Sequence, residues 1–379
     1  MPVVDDPDDA AVRYGRSPRP SGPCAARADA LPGGRCRPRG AGGDVTTTIA
    51  DVAARARVSI RTVSRVLNRS PLVNAATREQ VEMAIAALAF RPSARARGLA
   101  TGRSFLLGLV HNDRNALVLD PLQRGIVGAA AARGYELVVH PVAAGRGDPV
   151  ADVLDFAGRS RVDGIVVVPP VSGAPGVAEA LSAAGVPAVA LSSVALSGYD
   201  AVLVSDERGA ARTVARHLVT LGHRRIALLS GPAAAHSARE RQAGFVAGLA
   251  DHGLTLLAEA EGDYGFDSGV AAARTLLSID PRPTAIFAAN DVMAAAVLKV
   301  AATLSLDVPR DLSVVGFDGS ILARMLTPAL TTVHRPIAEM AGAITMRLID
   351  RIGGRADDAP LSTTLSLSIG ESCAPPMNG

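Results

Sequence analysis

The sequence has little of what membrane, secreted or metal-binding proteins need. No apolar run approaches the roughly 20 residues that cross a bilayer, and the acidic start, MPVVDDPDD, lacks the apolar region of a secretory signal. The three cysteines, Cys24, Cys36 and Cys373, lie far apart and do not have metal-ligand spacing. We interpret them as unpaired thiols of a cytoplasmic protein and expect no metal site and no membrane partner.

The motifs of common nucleotide-dependent enzymes are also missing. No G-x-G-x-x-G follows a predicted strand and no G-x-x-x-x-G-K-[ST] occurs. No nucleophile with a paired base is evident either. We therefore expect that the chain is not an enzyme and carries no cofactor.

Lysine is almost absent, and the positive charge is unevenly distributed. Lys299 is the only lysine, so arginine supplies nearly all of the positive charge. Residues 45–103 hold ten arginines against three acidic residues, a net charge of +7, whereas residues 104–379 have a net charge of −5. This asymmetry is typical of a phosphate-binding module joined to a ligand-sensing body. Arginine suits forked contacts with phosphate and guanine.

Residues 48–68 predict two short helices joined by a tight turn. Apolar residues recur at helical spacing from Ile49 to Ala56, and again from Val63 to Leu67. Ser59 provides a hydroxyl cap for the second helix. The opposite face of that helix is polar and basic and comprises Arg61, Thr62, Ser64, Arg65 and Asn68. This combination indicates a helix-turn-helix rather than a helical hairpin with a merely solvated basic face.

The pattern predicts four segments. Residues 1–44, rich in Pro, Gly, Arg and Asp, are expected to be a disordered extension, with the working protein starting near Val45. Residues 45–92 form the DNA-binding domain, whose third helix is capped by Asn74 and ended by Pro92. Residues 93–104 are a short connector, and residues 105–379 form the body.

The body alternates short apolar strands with helices. Strands are predicted at 106–110, 135–139, 164–168, 188–191, 226–229, 285–288 and 313–317. Helices are predicted at 121–133, 209–221, 237–249, 269–277, 292–302 and 337–352. Such alternation indicates parallel sheets with both faces covered by helices. The number of units predicts an α/β body of two doubly wound parallel-sheet subdomains behind an all-α headpiece.

The helix-turn-helix run resembles the DNA-binding headpiece of the lactose-repressor (LacI) family of bacterial transcription regulators. The matching pieces are Thr48-Ile49, Asp51-Val52-Ala53, Val58-Ser59, Thr62-Val63-Ser64-Arg65-Val66-Leu67-Asn68, Thr77-Arg78-Glu79 and Pro92. The resemblance continues to Ala374-Pro375-Pro376 and covers all but the first 44 residues. It implies that the two subdomains are like those of periplasmic sugar-binding proteins, joined by chain crossovers with a ligand cleft between them. It also implies that residues 93–104 are a hinge helix and linker and that residues 105–379 form the effector-binding and dimerisation domain.

The resemblance also implies which residues contact DNA. It places Ile60 and Arg61 at the positions that set operator choice. A fork from Arg61 onto guanine is worth about 1–3 kcal/mol of discrimination, and Ile60 would contact a thymine methyl group. In the connector, Leu99 beside Arg95 would enter the minor groove together with its copy from a second subunit. The remaining residues, expected to grip phosphates or support the helix, are Thr48, Ser59, Thr62, Ser64, Arg65 and Asn68.

One residue departs from the family pattern. The family usually has glycine where this chain has Arg57, in the turn between the two helices. A positive φ is natural for glycine and costs another residue about 1–2 kcal/mol. We therefore expect this turn to be strained or slightly reshaped.

Polar residues follow several predicted strands, at the carboxyl ends where such sheets bind ligands. By resemblance, Arg241, Asn290 and Asp318 match effector-contacting positions. Tyr264 is expected to stack on the apolar face of a sugar. The other wall of the cleft is less legible, and its candidates are Asn112 and Ser192. Two alternatives stay open: Asn290 suits a helix cap equally well, and Arg241 with Asp318 could form a purely structural ion pair.

These observations predict a homodimeric, sequence-specific transcription regulator. We expect it to repress from a palindromic operator and to respond to a small molecule, a sugar or sugar derivative, in the cleft. One alternative keeps the DNA binding but replaces the sugar with a purine-type or protein coregulator. A sugar-binding transport protein would suit the body, but the headpiece and the missing signal peptide argue against it.

Overall fold

The computed structural model describes residues 47–67, 70–90, 102–112, 115–142, 147–355, 357 and 359–377. The chain separates into two compact units, Met1–Arg91 and Pro92–Gly379. Within the described ranges, none of the helices has the length and apolar character needed to cross a lipid bilayer.

The described part of the first unit contains three short helices with side-chain caps. They are α1 (Ile49–Arg55), α2 (Ile60–Leu67) and α3 (Ala75–Ala87). Thr48 and Asp51 form a reciprocal capping box at the start of α1. Asn74, as predicted, caps α3 by accepting a 2.8 Å hydrogen bond from the Thr77 N–H.

The three helices bury the apolar positions that the spacing predicts. Val52 of α1, Val63 of α2 and Val81 of α3 are fully buried in one core, and Phe90 joins them after α3. Each helix alone is too short to be stable in water, so this shared core is what holds the unit together.

The turn after α1 is a Schellman motif with Arg57 at its left-handed position. The φ of Arg57 is 48°. The Arg57 N–H donates to the Ala54 carbonyl at 3.2 Å, and the Val58 N–H donates to the Ala53 carbonyl at 3.0 Å. Arg57 therefore has the positive φ from which strain in this turn is expected.

The first subdomain of the body is built on a six-stranded parallel sheet. Its order is β11-β5-β4-β3-β1-β2. The strands are β1 (Leu106–His111), β2 (Glu136–Pro141), β3 (Gly164–Val167), β4 (Ala188–Ser192), β5 (Ala201–Ser205) and β11 (Leu361–Thr363). The covering helices are α4 (Ala116–Ala131), α5 (Pro149–Ser160), α6 (Val177–Ala183) and α12 (Ile337–Ile352).

The second subdomain repeats this plan with one antiparallel edge. Its order is β12-β10-β9-β8-β6-β7, and β12 runs antiparallel to β10. The strands are β6 (Ile226–Ser230), β7 (Ala258–Glu261), β8 (Ala285–Ala288), β9 (Ser313–Asp318), β10 (Thr331–His334) and β12 (Ser366–Ser368). The helices are α7 (Glu207–Thr220), α8 (His236–Ala250), α9 (Phe266–Leu277), α10 (Asp291–Thr303) and α11 (Ile321–Met325).

Each sheet is covered on both faces, which explains its continuous apolar strands. In β3, Ile165 and Val167 pack into the core on one face while Val166 packs into the core on the other. Successive side chains of a strand point to opposite faces, so a strand between two helix layers must be apolar throughout. The predicted two-sheet architecture is confirmed.

The chain crosses between the two sheets three times. It crosses from β5 to α7, returns from β10 to α12, and crosses again from β11 to β12. Helix α12 lies on the first sheet, where Ile344 and Leu348 share a core with Leu107 and Leu109. The crossovers that the resemblance implied are present, and they bring distant parts of the sequence to the boundary between the sheets.

Several elements differ from the sequence prediction. All seven predicted strands exist, but β5, β7, β10, β11 and β12 were not predicted. Strand β7 reads Ala-Glu-Ala-Glu and is an edge strand, so it lacks the apolar run on which the prediction depended. The helix predicted at 121–133 begins earlier, at Ala116, because Asn115 caps it. Pro121 therefore lies inside the helix rather than at its start.

Candidate DNA-binding surface and ligand cleft

Helix α2 starts from a cap that engages two of the predicted DNA-contacting residues. Ser59 Oγ accepts a 3.1 Å hydrogen bond from the Thr62 N–H and lies 2.9 Å from Thr62 Oγ1. The capping role of Ser59 is confirmed. The Thr62 hydroxyl lies beside that cap, and Thr62 thereby helps to stabilise the first turn of α2.

The exposed side of α2 begins with a large apolar residue and an arginine. Ile60 is 51% exposed and Arg61 is exposed, while Val63 and Val66 face the core. Ser64 and Arg65 are half-buried. Ile60 lies outside the core of this unit, so its exposed apolar side chain beside Arg61 is available for contact with a partner.

Two further residues of the matched motif have structural partners. The Thr48 hydroxyl donates to Asp51 at 2.7 Å within the capping box, and its backbone hydrogen bond is the first of the contacts that lower the pKa of Asp51. Arg78 donates to the Ser70 carbonyl at 2.9 Å. The other predicted DNA contacts, Asn68, Arg95 and Leu99, lie outside the described residues.

Four charged side chains meet where the chain crosses between the sheets. Arg241 comes from α8, Glu207 opens α7 just after the first crossover, and Asp318 ends β9. Arg335 follows β10 at the second crossover. The side chains of Glu207, Arg241 and Asp318 are 2%, 4% and 7% exposed, and that of Arg335 is 16% exposed.

The four groups form a closed ring of alternating charge, called the charge ring below. Arg241 Nε lies 2.8 Å from Glu207 Oε2, and Glu207 Oε1 lies 3.5 Å from Arg335 Nη2. Arg335 Nη1 lies 3.1 Å from Asp318 Oδ1, which is 3.6 Å from Arg241 Nη2. Arg241 Nη1 also donates to the Ala289 carbonyl. Each charge therefore contacts two of the opposite sign.

The mutual contacts keep the buried groups ionised. Burial by itself opposes the charge on Glu207, but Arg241 and then Arg335 hold its pKa below the usual value. Burial likewise opposes the charge on Arg241, whereas Glu207, Tyr264 and Asp318 hold its pKa above the usual value. A buried ion pair is stable only when its partners satisfy each other in this way.

Aromatic rings and strained backbone surround Arg241. Its guanidinium carbon lies 3.8 Å from the centre of the Phe317 ring and 5.7 Å from that of Tyr264. The Tyr264 hydroxyl is 3.0 Å from Ser237 Oγ. Tyr264 and Asp318 both have positive φ, at 68° and 109°. Non-glycine residues in such conformations cluster at functional sites.

Asn290 and its neighbour Asp291 are held by the fold. Asn290 Oδ1 accepts from the Met293 N–H and so caps α10, while its Nδ2 donates to the Tyr264 carbonyl. The capping alternative for Asn290 is thus realised. Asp291 accepts from Ser320 and from Thr332 Oγ1. Burial, and secondly the charge of Asp318, raise the pKa of Asp291 to about 7.

On the first subdomain, Ser192 connects to the charge ring through Ser205. Ser205 Oγ lies 3.1 Å from Glu207 Oε1 and 3.4 Å from the Ser192 carbonyl oxygen. Ser192 Oγ accepts from the Val194 N–H at 3.1 Å. Asn112 follows β1 and is half-buried.

The two subdomains also touch at Gly173. This glycine ends the 3₁₀ turn Val171–Gly173 of the first subdomain. A Cβ added there would lie 3.1 Å from Cδ2 of His236, the first residue of α8 in the second subdomain. The absence of a side chain at Gly173 lets the two subdomains approach at this point.

The structure thus brings Arg241, Tyr264, Asn290 and Asp318 together, as the sequence predicted. It adds Glu207 and Arg335, which the sequence analysis missed. Neither follows a strand of the predicted set, because β5 and β10 were not predicted. Recognising those two strands from their Ala-Val-Leu-Val and Thr-Thr-Val patterns would have placed Glu207 and Arg335 at carboxyl ends of the sheets.

A capped three-helix unit with a cationic face, followed by a two-sheet body with buried polar groups between its sheets, defines a ligand-responsive DNA-binding regulator. Comparison with known families agrees. Residues 48–93 match the family described as "Bacterial regulatory proteins, lacI family", and residues 215–373 match the family described as "Periplasmic binding protein-like domain".

Similar proteins match this chain over nearly their whole length. Catabolite control protein A of Priestia megaterium is 34% identical over 314 residues, which cover 81% of this chain and 92% of the relative. The crystal structure of the Lac repressor dimer bound to operator and the anti-inducer ONPF is 31% identical, covers 86% of this chain and 99% of that chain, and superposes with a TM-score of 0.71. A transcriptional regulator CelR–cellobiose complex gives 31% identity, the same coverages and a TM-score of 0.64.

The chain belongs to the LacI family of bacterial regulatory proteins. Like its relatives, it is a DNA-binding transcription regulator rather than an enzyme. The resemblance drawn from the headpiece residues is thereby confirmed.

Proposed function

We propose that this protein is a homodimeric, cytoplasmic repressor that binds a palindromic operator and is controlled by a sugar or sugar derivative at the charge ring. The Lac repressor structure is a dimer bound to operator, and the CelR structure holds cellobiose. A twofold dimer presents two copies of α2, so its operator has two inverted half-sites.

In this proposal α2 enters the major groove. Ile60 and Arg61 reach the bases because they are the exposed residues next to the capped end of the helix. Thr48, Ser59, Thr62, Ser64, Arg65 and Asn68 support the helix or hold phosphates. Residues 45–92 form this domain, residues 93–104 the hinge with Arg95 and Leu99 at the minor groove, and residues 1–44 an extension outside it.

The charge ring is the observation that carries the effector assignment. A guanidinium donates two hydrogen bonds and a carboxylate accepts two, so Arg241 and Asp318 can recognise adjacent hydroxyl groups of a sugar. Tyr264 offers an aromatic face beside them. Asn290 holds Tyr264 in place by donating a hydrogen bond to its carbonyl. Residues 105–379, including Asn112 and Ser192 on the first subdomain, form the domain that holds the ligand.

The control follows from the position of the ring between the subdomains. Glu207 and Arg335 sit next to two crossovers, and Gly173 meets His236 across the boundary. A ligand that contacts both sheets binds one relative arrangement of them better than another. It shifts the equilibrium by that difference in affinity, and the shift changes DNA binding through the residues that join body and headpiece.

Selection of DNA by the full chain tests the proposal. Random duplexes are enriched on the purified protein with and without a panel of neutral sugars and purines. We expect enrichment of twofold-symmetric sequences and a change in affinity with a member of the panel. Arg61→Ala should relax the preference at one base pair of each half-site, whereas Arg65→Ala, the matched control on the same helix, should weaken all sequences alike.

Three outcomes separate the alternatives. Enrichment without twofold symmetry contradicts the dimeric reading of DNA. Symmetric enrichment that responds to a purine and not to a sugar assigns the purine alternative. Symmetric enrichment that responds to no compound in the panel favours a protein coregulator.

A further inference from the structure

The charge ring has no surplus charge to offer a ligand. It contains two guanidinium groups and two carboxylates, arranged so that every neighbour has the opposite sign. A site built for an anion has more cationic than anionic groups around it. Here each arginine already has two carboxylate partners.

Three polar groups that interact with ring members, Asp291, Tyr264 and Ser205, add no positive charge. Asp291, which interacts with the charge of Asp318, is hydrogen-bonded to Ser320 and Thr332 rather than to an arginine. Any ionisation of Asp291 makes the surroundings more negative. Tyr264 and Ser205, which contact ring members, are uncharged polar groups.

Two buried polar atoms near the ring lack hydrogen-bond partners among the described residues. They are Nε of Arg335 and Oγ of Ser193. Ser193 is 8% exposed and follows Ser192, whose carbonyl oxygen is linked to Glu207 through Ser205. One atom is a donor and the other both donates and accepts, which suits hydroxyl groups of a ligand. Buried polar atoms without partners are rare and call for one.

We propose that the effector is an uncharged polyhydroxylated molecule, that phosphorylated and carboxylated forms are excluded, and that Arg335 is a specificity-determining residue. This inference rests on the proposed function of the ring as the effector site. An anion would have to draw an arginine away from Glu207 or Asp318. The site would then hold more negative than positive charge, because two carboxylates and the anion would share two guanidinium groups, and a buried surplus charge is strongly unfavourable. A hydroxyl group inserts as donor and acceptor without unpairing any charge.

Matched pairs of sugars test the exclusion directly. The full chain is titrated, by thermal shift and then calorimetry, with ribose against ribose 5-phosphate, glucose against glucose 6-phosphate and glucuronate, and with cellobiose. We expect the neutral member of a pair to bind at least tenfold more tightly than its charged form. Tighter binding of a charged member overturns the inference.

Changing the charge of the ring should change the preference. Glu207→Gln keeps the size and the hydrogen-bond acceptor but gives the ring a net charge of +1, so discrimination against the phosphorylated member should fall at least tenfold. Arg335→Lys keeps the charge and removes the Nε donor, and it should weaken the neutral sugar without improving the phosphorylated one. If both variants keep the wild-type ratio, Arg335 and the ring do not determine specificity.

A ligand-free measurement decides the case in which no sugar binds, an outcome that rejects the sugar assignment under the proposed function. Unfolding of wild type, Glu207→Gln, Arg335→Gln and the double variant forms a cycle. We expect the unfolding constant of the double variant to be at least tenfold smaller than the product of the single effects predicts, because the second change removes an unpaired charge. The exposed pair Asp120–Arg124 is the control, with less than threefold coupling. Equal coupling in the two cycles overturns the balanced ring.

Discussion

Replacing Arg57 with glycine should make the headpiece more stable. Arg57 holds φ at 48° in the Schellman turn between α1 and α2. A side chain in this conformation destabilises the folded state by about 1–2 kcal/mol. Glycine removes that cost but loses about 0.5–1 kcal/mol of stability, because it makes the unfolded chain more flexible. The expected net gain is about 0.5–1 kcal/mol.

Hydrogen exchange of the full chain measures this gain locally. Peptides that cover α1 to α3 should exchange about two- to fivefold more slowly in Arg57→Gly, since 1.4 kcal/mol corresponds to a factor of ten. Peptides from the body serve as an internal reference and should not change. The preferred operator should also stay the same, because Arg57 lies in the turn and not on α2.

Arg57→Ala is the matched control. It removes the same charge but keeps a Cβ, so it keeps the backbone strain. If Arg57→Ala slows exchange as much as Arg57→Gly, the gain comes from lost charge repulsion and the strain argument is wrong. If neither slows exchange, the turn stores no strain.

Three further predictions follow from charge, burial and packing. A logarithmic plot of operator affinity against salt should fall with a slope near −7 if the two headpieces together neutralise about eight phosphates, and a nearly flat plot would contradict the role given to the arginine-rich face. Asp291 has a folded pKa of about 7 against an ordinary 3.8, so the stability that its neutral form contributes is lost as pH rises through that window, by at most about 1.4 kcal/mol per unit. Asp291→Asn should flatten thermal stability between pH 5 and 8, and an unchanged slope would assign the dependence to another group. In α4, Gly125→Ala should destabilise the body by about 1–3 kcal/mol, because the new methyl group would overlap the Ala338 carbonyl oxygen of α12. The control, Gly128→Ala, meets open space and should stabilise the helix by about 0.5–1 kcal/mol; similar effects of the two would contradict the packing of α4 on α12.

The headpiece could be predicted almost completely because its determinants are local. The cap of α2 at Ser59 and the cap of α3 at Asn74 each depend on residues within a few positions of one another, whereas the positive φ at Arg57 was expected from the glycine that the family usually has there. The buried positions of the three helices follow the helical period directly. Short-range hydrogen bonds and periodicity are what a sequence displays in its linear order.

The body could be predicted only in part. Strands buried on both faces were recognised by their apolar runs, whereas the edge strand β7 and the threonine-rich β10 were not. We expected Pro121 to open helix α4. The helix begins earlier because the side chain of Asn115 caps it, and Pro121 lies inside it. The crossovers came from the family resemblance and not from the pattern itself, and the strand order was not predicted.

By itself, the linear order of residues determined the class of protein: an arginine-rich helix-turn-helix before alternating strands and helices. It also marked Asp318, which ends a recognisable strand, and Arg241, which lies near the start of a predicted helix, while the family resemblance assigned both to the effector site. Only the tertiary structure decided that Glu207 and Arg335 supply the opposite charges that pair with Arg241 and Asp318. Both residues lie beside crossovers: Glu207 is 34 positions from Arg241, and Arg335 is 17 positions from Asp318. Burying any one of the four charges without a partner of opposite sign would be strongly unfavourable. Such a balance exists only once the sheets assemble, since no local pattern records which distant charges share one low-dielectric site.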